Sequence, residues 1–280
     1  MTGFRRTVGP AAPYRVDALA PGVTVRRLHP GGMAGPNGEV HADVPGGQTW
    51  SEAVLLGTPE DDFVLCLPDI RMPPNQLWPM HWHDCWTVVV ILEGNCAVGD
   101  WYMAPGDAFV AAPSIEYGPL VPGSKGTRLL EIFGDLARSS GGYAPEYRDH
   151  PTLQGGTFAF HPRAEGNRHN EGRSSLPLDG AAGLWKSRLA PGWQWDLGAA
   201  DDPDRGVVRA TRLALGETIA PRARGDWYAA LVLGGTAEVA GRMLERDDVL
   251  IAERDATLPA ISGAAEGAHL LELFRTARAL

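Results

Sequence analysis

Two histidines separated by one residue are the strongest chemical signal in the sequence. His81 and His83 flank Trp82, after a Pro-rich loop and before an apolar run. On a β-strand, residues i and i+2 point to the same face, so the two imidazoles would point one way and Trp82 the other. Two converging imidazoles supply half of a typical transition-metal site, and they can also serve as an acid–base pair. A His-x-His pair alone also occurs on surfaces and in cores, so its context matters.

An internal repeat defines the elements that must position these residues. Met80–Phe133 aligns with Pro221–Phe274 over 54 positions without a gap, at an offset of 141 residues. Eleven positions are identical, against roughly three or four expected by chance at this composition. The repeat is longer than the ~20–50-residue units of solenoids, so it predicts two copies of one domain. The identical pairs include Gly94/Gly235, Asp107/Asp248, Gly126/Gly267, Glu131/Glu272 and Phe133/Phe274.

Each copy has the pattern of short strands joined by turns. Gly accounts for 35 residues and Pro for 23, which favours many turns. Strands of about five to seven residues with frequent turns are typical of sandwiches and jelly rolls, so the predicted fold class is all-β. In the first copy the predicted strands are Phe63–Pro68, Trp86–Leu92, Cys96–Val98, Ala108–Ala111 and Thr127–Phe133.

The segment between the copies differs in composition and suggests a domain boundary. It is rich in Gly, Ser and Pro and contains the stretch HPRAEGNRHNEGRSS. A long stretch without elements is uncommon inside one domain. We therefore expect an N-terminal barrel over residues 1–135, a linker with irregular first strands over 136–183, and a C-terminal barrel over 184–280.

Two stretches of the first copy resemble the conserved motifs of the cupin superfamily. The string NQLWPMHWHDCWTVVVILEG resembles the first motif, with Asn75 at the first Gly position and His81, His83 and Gly94 at matching positions. The stretch APGDAFVAAPSIEYGPLVPGSKGTRLLEIF resembles the second motif. With the repeat, the resemblance implies two tandem cupin-type jelly-roll β-barrels, a bicupin. It also implies a divalent metal in the first barrel and chemistry on a small organic molecule.

The metal ligands of the cupin motifs are only partly present. Thr87 and Val88 occupy the positions of the first-motif Glu, and Tyr117 is the best match to the second-motif His. The resemblance therefore implies a site of two histidines with oxygen donors. Tyr117 could ligate as a phenolate, or donate a proton to bound substrate.

Other oxygen donors remain open as alternatives. Glu116 would complete a two-His-one-carboxylate set, which suits non-haem iron. Because neighbouring strand residues face opposite ways, only one of Glu116 and Tyr117 reaches the site without a bulge. A more distant residue such as His41 or Glu131 is a third route. Glu131 recurs as Glu272, however, which favours a structural role for both.

The second copy lacks the metal-binding residues. Arg222 and Arg224 replace the two histidines, and Leu258 replaces Tyr117. Arginine side chains repel a cation, so this copy is expected to be structural. The alternative is that the two arginines bind an anionic ligand.

Tryptophans are concentrated around the first site, where Trp78, Trp82, Trp86 and Trp101 lie in the motif region. Aromatic rings at a barrel mouth favour a flat, apolar ligand, and the alternative is that they seal the core. The residues expected to line the substrate pocket are Trp78, Thr87, Trp101 and Arg128.

Charge and cysteine content exclude several function classes. Lys and Arg number 25 against 34 Asp and Glu, a net charge of −9, so a nucleic-acid partner is not expected. Three cysteines do not form a disulfide framework, and the N-terminal residues lack the pattern of a signal peptide. No apolar run approaches the ~20 residues of a membrane span. We expect a cytoplasmic protein that forms a homodimer through open sheet edges.

Three functions from different classes fit these observations. The favoured one is a metal-dependent oxygenase or dioxygenase that acts on a small aromatic or apolar molecule. Iron is the expected metal, with manganese, nickel, copper, zinc or no metal as alternatives. The second is a metal-independent lyase, isomerase or cyclase that uses His81, His83 and Tyr117 as acid–base groups. The third is a small-molecule-binding protein without catalysis.

Overall fold

The computed structural model describes residues 16–28, 39–41, 49–56, 65–74, 78, 80–83, 85–99, 101–134, 141–143, 183–198, 202, 205–223 and 225–277. Within these ranges the regular elements are strands and there is no α-helix. The strands are β1 (Val16–Ala20), β2 (Val23–Arg27), β3 (Glu39–His41), β4 (Thr49–Leu56), β5 (Leu65–Met72), β6 (His81–His83), β7 (Thr87–Val98), β8 (Trp101–Met103), β9 (Asp107–Ala111), β10 (Leu120–Phe133), β11 (Gly141–Tyr143), β12 (Leu184–Arg188), β13 (Gln194–Leu197), β14 (Gly206–Leu213), β15 (Thr218–Ile219), β16 (Arg222–Ala223), β17 (Tyr228–Val239), β18 (Arg242–Leu244), β19 (Asp248–Ala252), β20 (Thr257–Leu258) and β21 (Ile261–Phe274).

The first compact unit, called the first barrel below, is built on an eight-stranded antiparallel sheet. Its strand order is β12-β9-β7-β10-β5-β4-β3, with β8 added to β7. The short strands β6 and β11 form a separate ladder. Side chains on one face of β7 and β10 alternate into an apolar core that contains Val89, Ile91 and Leu129.

The second compact unit, the second barrel, repeats this plan. Its nine-stranded sheet has the order β1-β2-β19-β17-β21-β14-β13, with β15 on β21 and β18 on β17. A small β16–β20 ladder corresponds to the site segment of the first barrel. Its apolar core includes Val232, Leu250, Leu270 and Phe274.

The repeat offset in the sequence is reproduced strand by strand. Both ends of β7, β8, β9 and β10 lie 141 residues before the ends of β17, β18, β19 and β21. The predicted all-β fold of two jelly-roll barrels is therefore confirmed.

Identical residues of the repeat hold equivalent backbone features. Gly94 has φ +68°, and a Cβ there would lie 2.0 Å from the carbonyl oxygen of Gly126. Gly235 has φ +68°, and a Cβ there would lie 2.1 Å from the carbonyl oxygen of Gly267. Only glycine allows this combination of left-handed backbone and close chain crossing. The crossing accompanies irregular register between the two long strands of each barrel.

The two barrels exchange strands along the chain. Strand β2, which precedes the first barrel in sequence, pairs with β19 of the second barrel. Strand β12, which follows the linker, pairs with β9 of the first barrel in the equivalent register. Each added strand covers a sheet edge that would otherwise expose unpaired backbone groups. The sequence predicted two barrels and a linker as three consecutive segments of the chain. In the structure, described residues 184–188 belong to the first unit and residues 16–28 to the second.

Equivalent ion pairs fix the exchanged strands. Arg188 Nη1 lies 2.8 Å from Asp107 Oδ1, and Arg27 Nε lies 2.9 Å from Asp248 Oδ1. The same aspartates accept hydrogen bonds from the backbone N–H groups of Ala104 and Glu245, which closes the turn before each strand.

Among the described residues, no helix is long and apolar enough to cross a membrane.

Candidate metal centre

A short strand and a paired turn position the two histidines of the first barrel. The N–H of His81 donates to the carbonyl of Tyr117 at 3.0 Å, and the N–H of Tyr117 donates to the carbonyl of His81 at 2.9 Å. On its other edge, β6 pairs with β11. The imidazoles of His81 and His83 are 3% and 5% exposed, so this pairing places both inside the barrel.

The two imidazoles converge on a carboxylate of the closing strand. Their ring centroids are 5.3 Å apart. The Nε2 atoms of His81 and His83 lie 3.9 and 3.7 Å from Glu131 Oε1 on β10. One ligand atom from each of the three residues fits within 4.8 Å of the others. Two imidazoles and a carboxylate are the donor set of many divalent transition-metal sites with open positions.

Tyr117 binds the same carboxylate oxygen. Its hydroxyl donates a 2.5 Å hydrogen bond to Glu131 Oε1, and its ring lies 4.4 Å from that of His81. Burial raises the pKa of Tyr117 well above its ordinary value, and the neighbouring charge of Glu131 raises it further. The phenol therefore remains protonated in this geometry and acts as a donor to the carboxylate.

Burial and the interactions between neighbouring groups act in opposite directions on the pKa values of the centre. Burial by itself would raise the pKa of Glu131, but its interactions with His81, His83 and Tyr117 outweigh this and hold the pKa below its ordinary value. Burial lowers the pKa of His83 to about 3, partly offset by the charge of Glu131. The centre at neutral pH thus contains an ionised carboxylate and a neutral His83, whose lone pair is available to a metal.

Aromatic and apolar side chains surround the centre. The ring of Phe133 lies 4.6 Å from that of His83, and the indole of Trp78 lies edge-on to His81 at 6.3 Å. The ring centroid of Phe109 lies 5.0 Å from that of Tyr117 and 6.3 Å from that of Trp101. This environment excludes water from the carboxylate and the imidazoles.

Solved structures of low sequence identity share the whole architecture. The sequence matches no protein-family model and no curated protein. A candidate dioxygenase from Nostoc punctiforme superposes with a TM-score of 0.59 at 12% identity, over 87% of this chain and 81% of that one. A candidate glyoxylate-induced protein from Pseudomonas aeruginosa gives a TM-score of 0.52 at 12% identity, over 97% and 95%. The oxalate decarboxylase of Bacillus subtilis, described with Mn(II) centres, gives 0.51 at 13%, over 87% and 76%.

These neighbours are cupin proteins. The chain has the bicupin fold. At 12–13% identity the likeness establishes the architecture alone, and the chemistry has to be argued from the residues of this chain.

The structure does not bring every expected ligand to the centre. Glu116 is buried but stands outside the group of His81, His83 and Glu131. Because it precedes Tyr117 by one residue, strand alternation turns it away when Tyr117 faces inwards. The backbone of His41 lies in β3, and its side chain falls outside the described part of the structure.

The structure places the four residues expected to line a substrate pocket in separate environments. Trp78 and Trp101 belong to the apolar core of the first barrel. Thr87 is 1% exposed, and its hydroxyl donates to the carbonyl of Cys85 at 3.3 Å. Arg128 is out of phase with Glu131 on β10, and its guanidinium makes a bidentate pair with Asp69 at 2.8 and 2.9 Å. The structure therefore places Arg128 in a buried ion pair on the opposite face of the sheet.

Glu131 was one of the alternatives that the sequence left open for a further oxygen donor. Its recurrence as Glu272 favoured a structural role, but its carboxylate faces both imidazoles. The sequence of the neighbouring strand does distinguish Glu131 from Glu272. Arg209 stands opposite Glu272 between β14 and β21, whereas the residue 141 positions earlier is Pro68.

The second barrel surrounds its buried carboxylate with side chains of the protein. Glu272 is fully buried, and Arg209 Nη2 lies 3.0 Å from its Oε2. The hydroxyl of Thr211 donates to the same oxygen, and the hydroxyl of Tyr228 donates to Oε1 at 3.0 Å. Every strong partner of this carboxylate is thus a side chain of the protein.

Of the two arginines that replace the histidines in the second barrel, Arg222 lies on the β16–β20 ladder. Arg222 pairs with Leu258 there, as His81 pairs with Tyr117 in the first barrel. Arg224 falls outside the described residues. An anion-binding role for this pair stays a prediction.

Proposed function

We propose that the first barrel binds one divalent transition metal through His81, His83 and Glu131, and that the protein is a metal-dependent oxygenase or dioxygenase for a small aromatic or apolar molecule. The observation that carries the proposal is the buried carboxylate of Glu131. No Lys or Arg among the described residues pairs with it, whereas Arg209 neutralises the equivalent Glu272. An ionised carboxylate that is 5% exposed needs a positive partner, and a metal ion between it and the imidazoles supplies one.

The donor atoms of His81, His83 and Glu131 are of types that bind transition metals. Imidazoles and a carboxylate suit iron and manganese, and three protein ligands leave positions for substrate. When bound, the metal would supply Lewis acidity or redox chemistry. We expect iron, with manganese, nickel, copper and zinc as alternatives.

The remaining side chains orient the ligands and exclude water. Tyr117 holds Glu131 through a hydrogen bond, which fixes the carboxylate against the imidazoles. Phe133 and Trp78 pack beside the two histidines, so the surroundings favour a substrate with an apolar body. A homodimer in the cytoplasm, with no nucleic-acid or membrane partner, stays part of the proposal.

One observation favours a metal-independent alternative. The Tyr117 hydroxyl donates a hydrogen bond to the Glu131 carboxylate beside the two imidazoles, so the groups that a proton transfer needs lie in contact. In that case His81, His83 and Tyr117 would serve a lyase, isomerase or cyclase. Turnover that survives exhaustive chelation would select this alternative.

Metal content and oxygen uptake test the proposal together. Protein purified without chelators should contain one transition-metal ion per chain, and His81→Ala and Glu131→Gln should each lose it. Oxygen consumption should be measured with a panel of small aromatic and apolar acids and phenols, using iron-loaded protein. Far less than one metal per chain, with unchanged activity in His81→Ala, would overturn the proposal.

A further inference from the structure

One inward position of the equivalent central strands carries side chains of very different size in the two barrels. Thr87 on β7 lies opposite Phe133 of β10 and Ala111 of β9. Tyr228 on β17 lies opposite Phe274 of β21 and Ala252 of β19. The same backbone position therefore carries a small side chain in the first barrel and a large aromatic one in the second.

In the second barrel, this position reaches the buried carboxylate. The ring of Tyr228 is fully buried and lies 5.3 Å from the ring of Phe274. Its hydroxyl donates to Glu272 Oε1 at 3.0 Å. A tyrosine at this position thus extends across the interior and occupies the space between the phenylalanine and the glutamate.

In the first barrel, the imidazole of His83 makes the equivalent contacts. Its ring lies 4.6 Å from Phe133, which corresponds to Phe274, and its Nε2 lies 3.7 Å from Glu131 Oε1. The hydroxyl of Thr87 turns back to the carbonyl of Cys85 instead. Interiors are close-packed, so an imidazole and a phenol ring cannot both occupy this space.

We propose that Thr87 is a positioning residue, whose small size makes room for the His83 imidazole and so permits metal binding in the first barrel. The inference rests on the proposed function, because it concerns the same centre. Position 87 and its equivalent, 228, then decide whether the space between the phenylalanine and the glutamate holds the imidazole of His83 or the ring of a tyrosine on the central strand. The hydroxyl of Thr87 has no part in this role, since only the volume of the side chain matters.

A size series at position 87 tests the inference in the full-length chain. Thr87→Val conserves shape and removes the hydroxyl, so it is the matched control. Thr87→Leu and Thr87→Tyr add volume, and tyrosine is already accepted at the equivalent position of β17. Binding of Co²⁺ is followed by its visible absorption spectrum and by titration, and thermal unfolding reports the fold.

We expect the affinity for Co²⁺ to fall as the volume of the side chain at position 87 increases. Thr87→Val should bind Co²⁺ with the wild-type spectrum and affinity. Thr87→Tyr should unfold cooperatively but bind Co²⁺ more weakly by at least the about 10–100-fold that loss of an outer-shell partner causes, because here a ligand itself is displaced. Should Thr87→Tyr fail to fold, Thr87→Leu decides in its place.

Two different failures are distinguishable in the same experiment. Folded Thr87→Tyr or Thr87→Leu protein with the wild-type Co²⁺ spectrum and affinity would overturn the positioning role alone. Equal loss of binding in Thr87→Val would also overturn it, because the hydroxyl would then be required. Wild-type protein that binds no Co²⁺ would overturn the proposed function itself.

Discussion

The guanidinium group of Arg209 lies 3.0 Å from the carboxylate of Glu272 and stands directly opposite it in the β14–β21 register. The corresponding position of the first barrel is Pro68, which carries no charge and no backbone N–H. The second barrel therefore carries the counter-ion of its buried carboxylate within its own sheet. The first barrel has no arginine at that position, and a bound metal would take that role at Glu131.

Removing this internal counter-ion should destabilise the second barrel. In Arg209→Met the carboxylate of Glu272 loses its buried charge partner, which typically costs about 3–5 kcal/mol. Urea denaturation of the variant should show a correspondingly smaller free energy of unfolding. The double variant Arg209→Met/Glu272→Gln should recover a large part of the loss, because no buried charge remains. Similar losses in the single and the double variant would contradict this account.

Tyr117 should act on the metal through Glu131. Tyr117→Phe removes the 2.5 Å hydrogen bond to Glu131 Oε1 and retains the ring. Loss of a residue that orients a ligand weakens metal binding by about 10–100-fold, so the variant should still bind metal at higher concentrations. Isothermal titration with Fe²⁺ or Co²⁺ under anaerobic conditions measures the change. A tyrosinate-to-metal absorption band in Fe³⁺-loaded wild-type protein, absent in Tyr117→Phe, would show instead that Tyr117 is a ligand.

The ion pair at the end of β9 should make stability depend on pH. Burial alone would raise the pKa of Asp107, but hydrogen bonds from the Ala104 backbone and the Arg188 guanidinium hold it below its ordinary value. A depressed pKa in the folded state contributes stability above the unfolded pKa of about 3.9. This contribution is lost as the pH falls through the lower, folded value.

Asp107→Asn keeps an oxygen acceptor and removes the charge. It should lower the free energy of unfolding by about 1 kcal/mol at pH 7. The difference from wild type should shrink as the pH falls below about 4. Denaturation between pH 3 and pH 7 checks this, with the exposed Asp255→Asn as the control. A difference that stays constant over this range would show that the charge of Asp107 is not involved.

The exchanged strand β12 should stabilise the first barrel, although it follows the linker in sequence. Leu184 is fully buried in the apolar core of that barrel. Leu184→Ala should cost about 2–5 kcal/mol and increase hydrogen exchange in β9, which pairs with β12. Leu197→Ala on β13 is the matched control, since that strand pairs with β14 of the second barrel. Faster exchange in the second barrel alone after Leu184→Ala would contradict this assignment.

The sequence by itself determined the architecture and pointed to the pair of histidines in the candidate site. The repeat, the turn residues and the alternating strands predict two all-β barrels, because backbone features such as the Gly94–Gly126 crossing leave identical residues in both copies. The spacing of His81 and His83 predicts that both imidazoles face one side, because side chains on a strand alternate with a period of two. Both predictions follow from local rules of backbone geometry, so the linear sequence is enough to make them.

Only the tertiary structure decided which groups meet. Glu131 lies 48 residues after His83, and its role depends on the register of β10 against the rest of the barrel and on the pairing that brings β6 beside Tyr117. The same applies to the exchange of β2 and β12, since any strand with the right alternation satisfies an open sheet edge. A carboxylate that recurs in both copies looks structural in a linear sequence. Its partners across the sheet, Arg209 in one barrel and two imidazoles in the other, distinguish the two roles, because charge compensation is a property of neighbours in space.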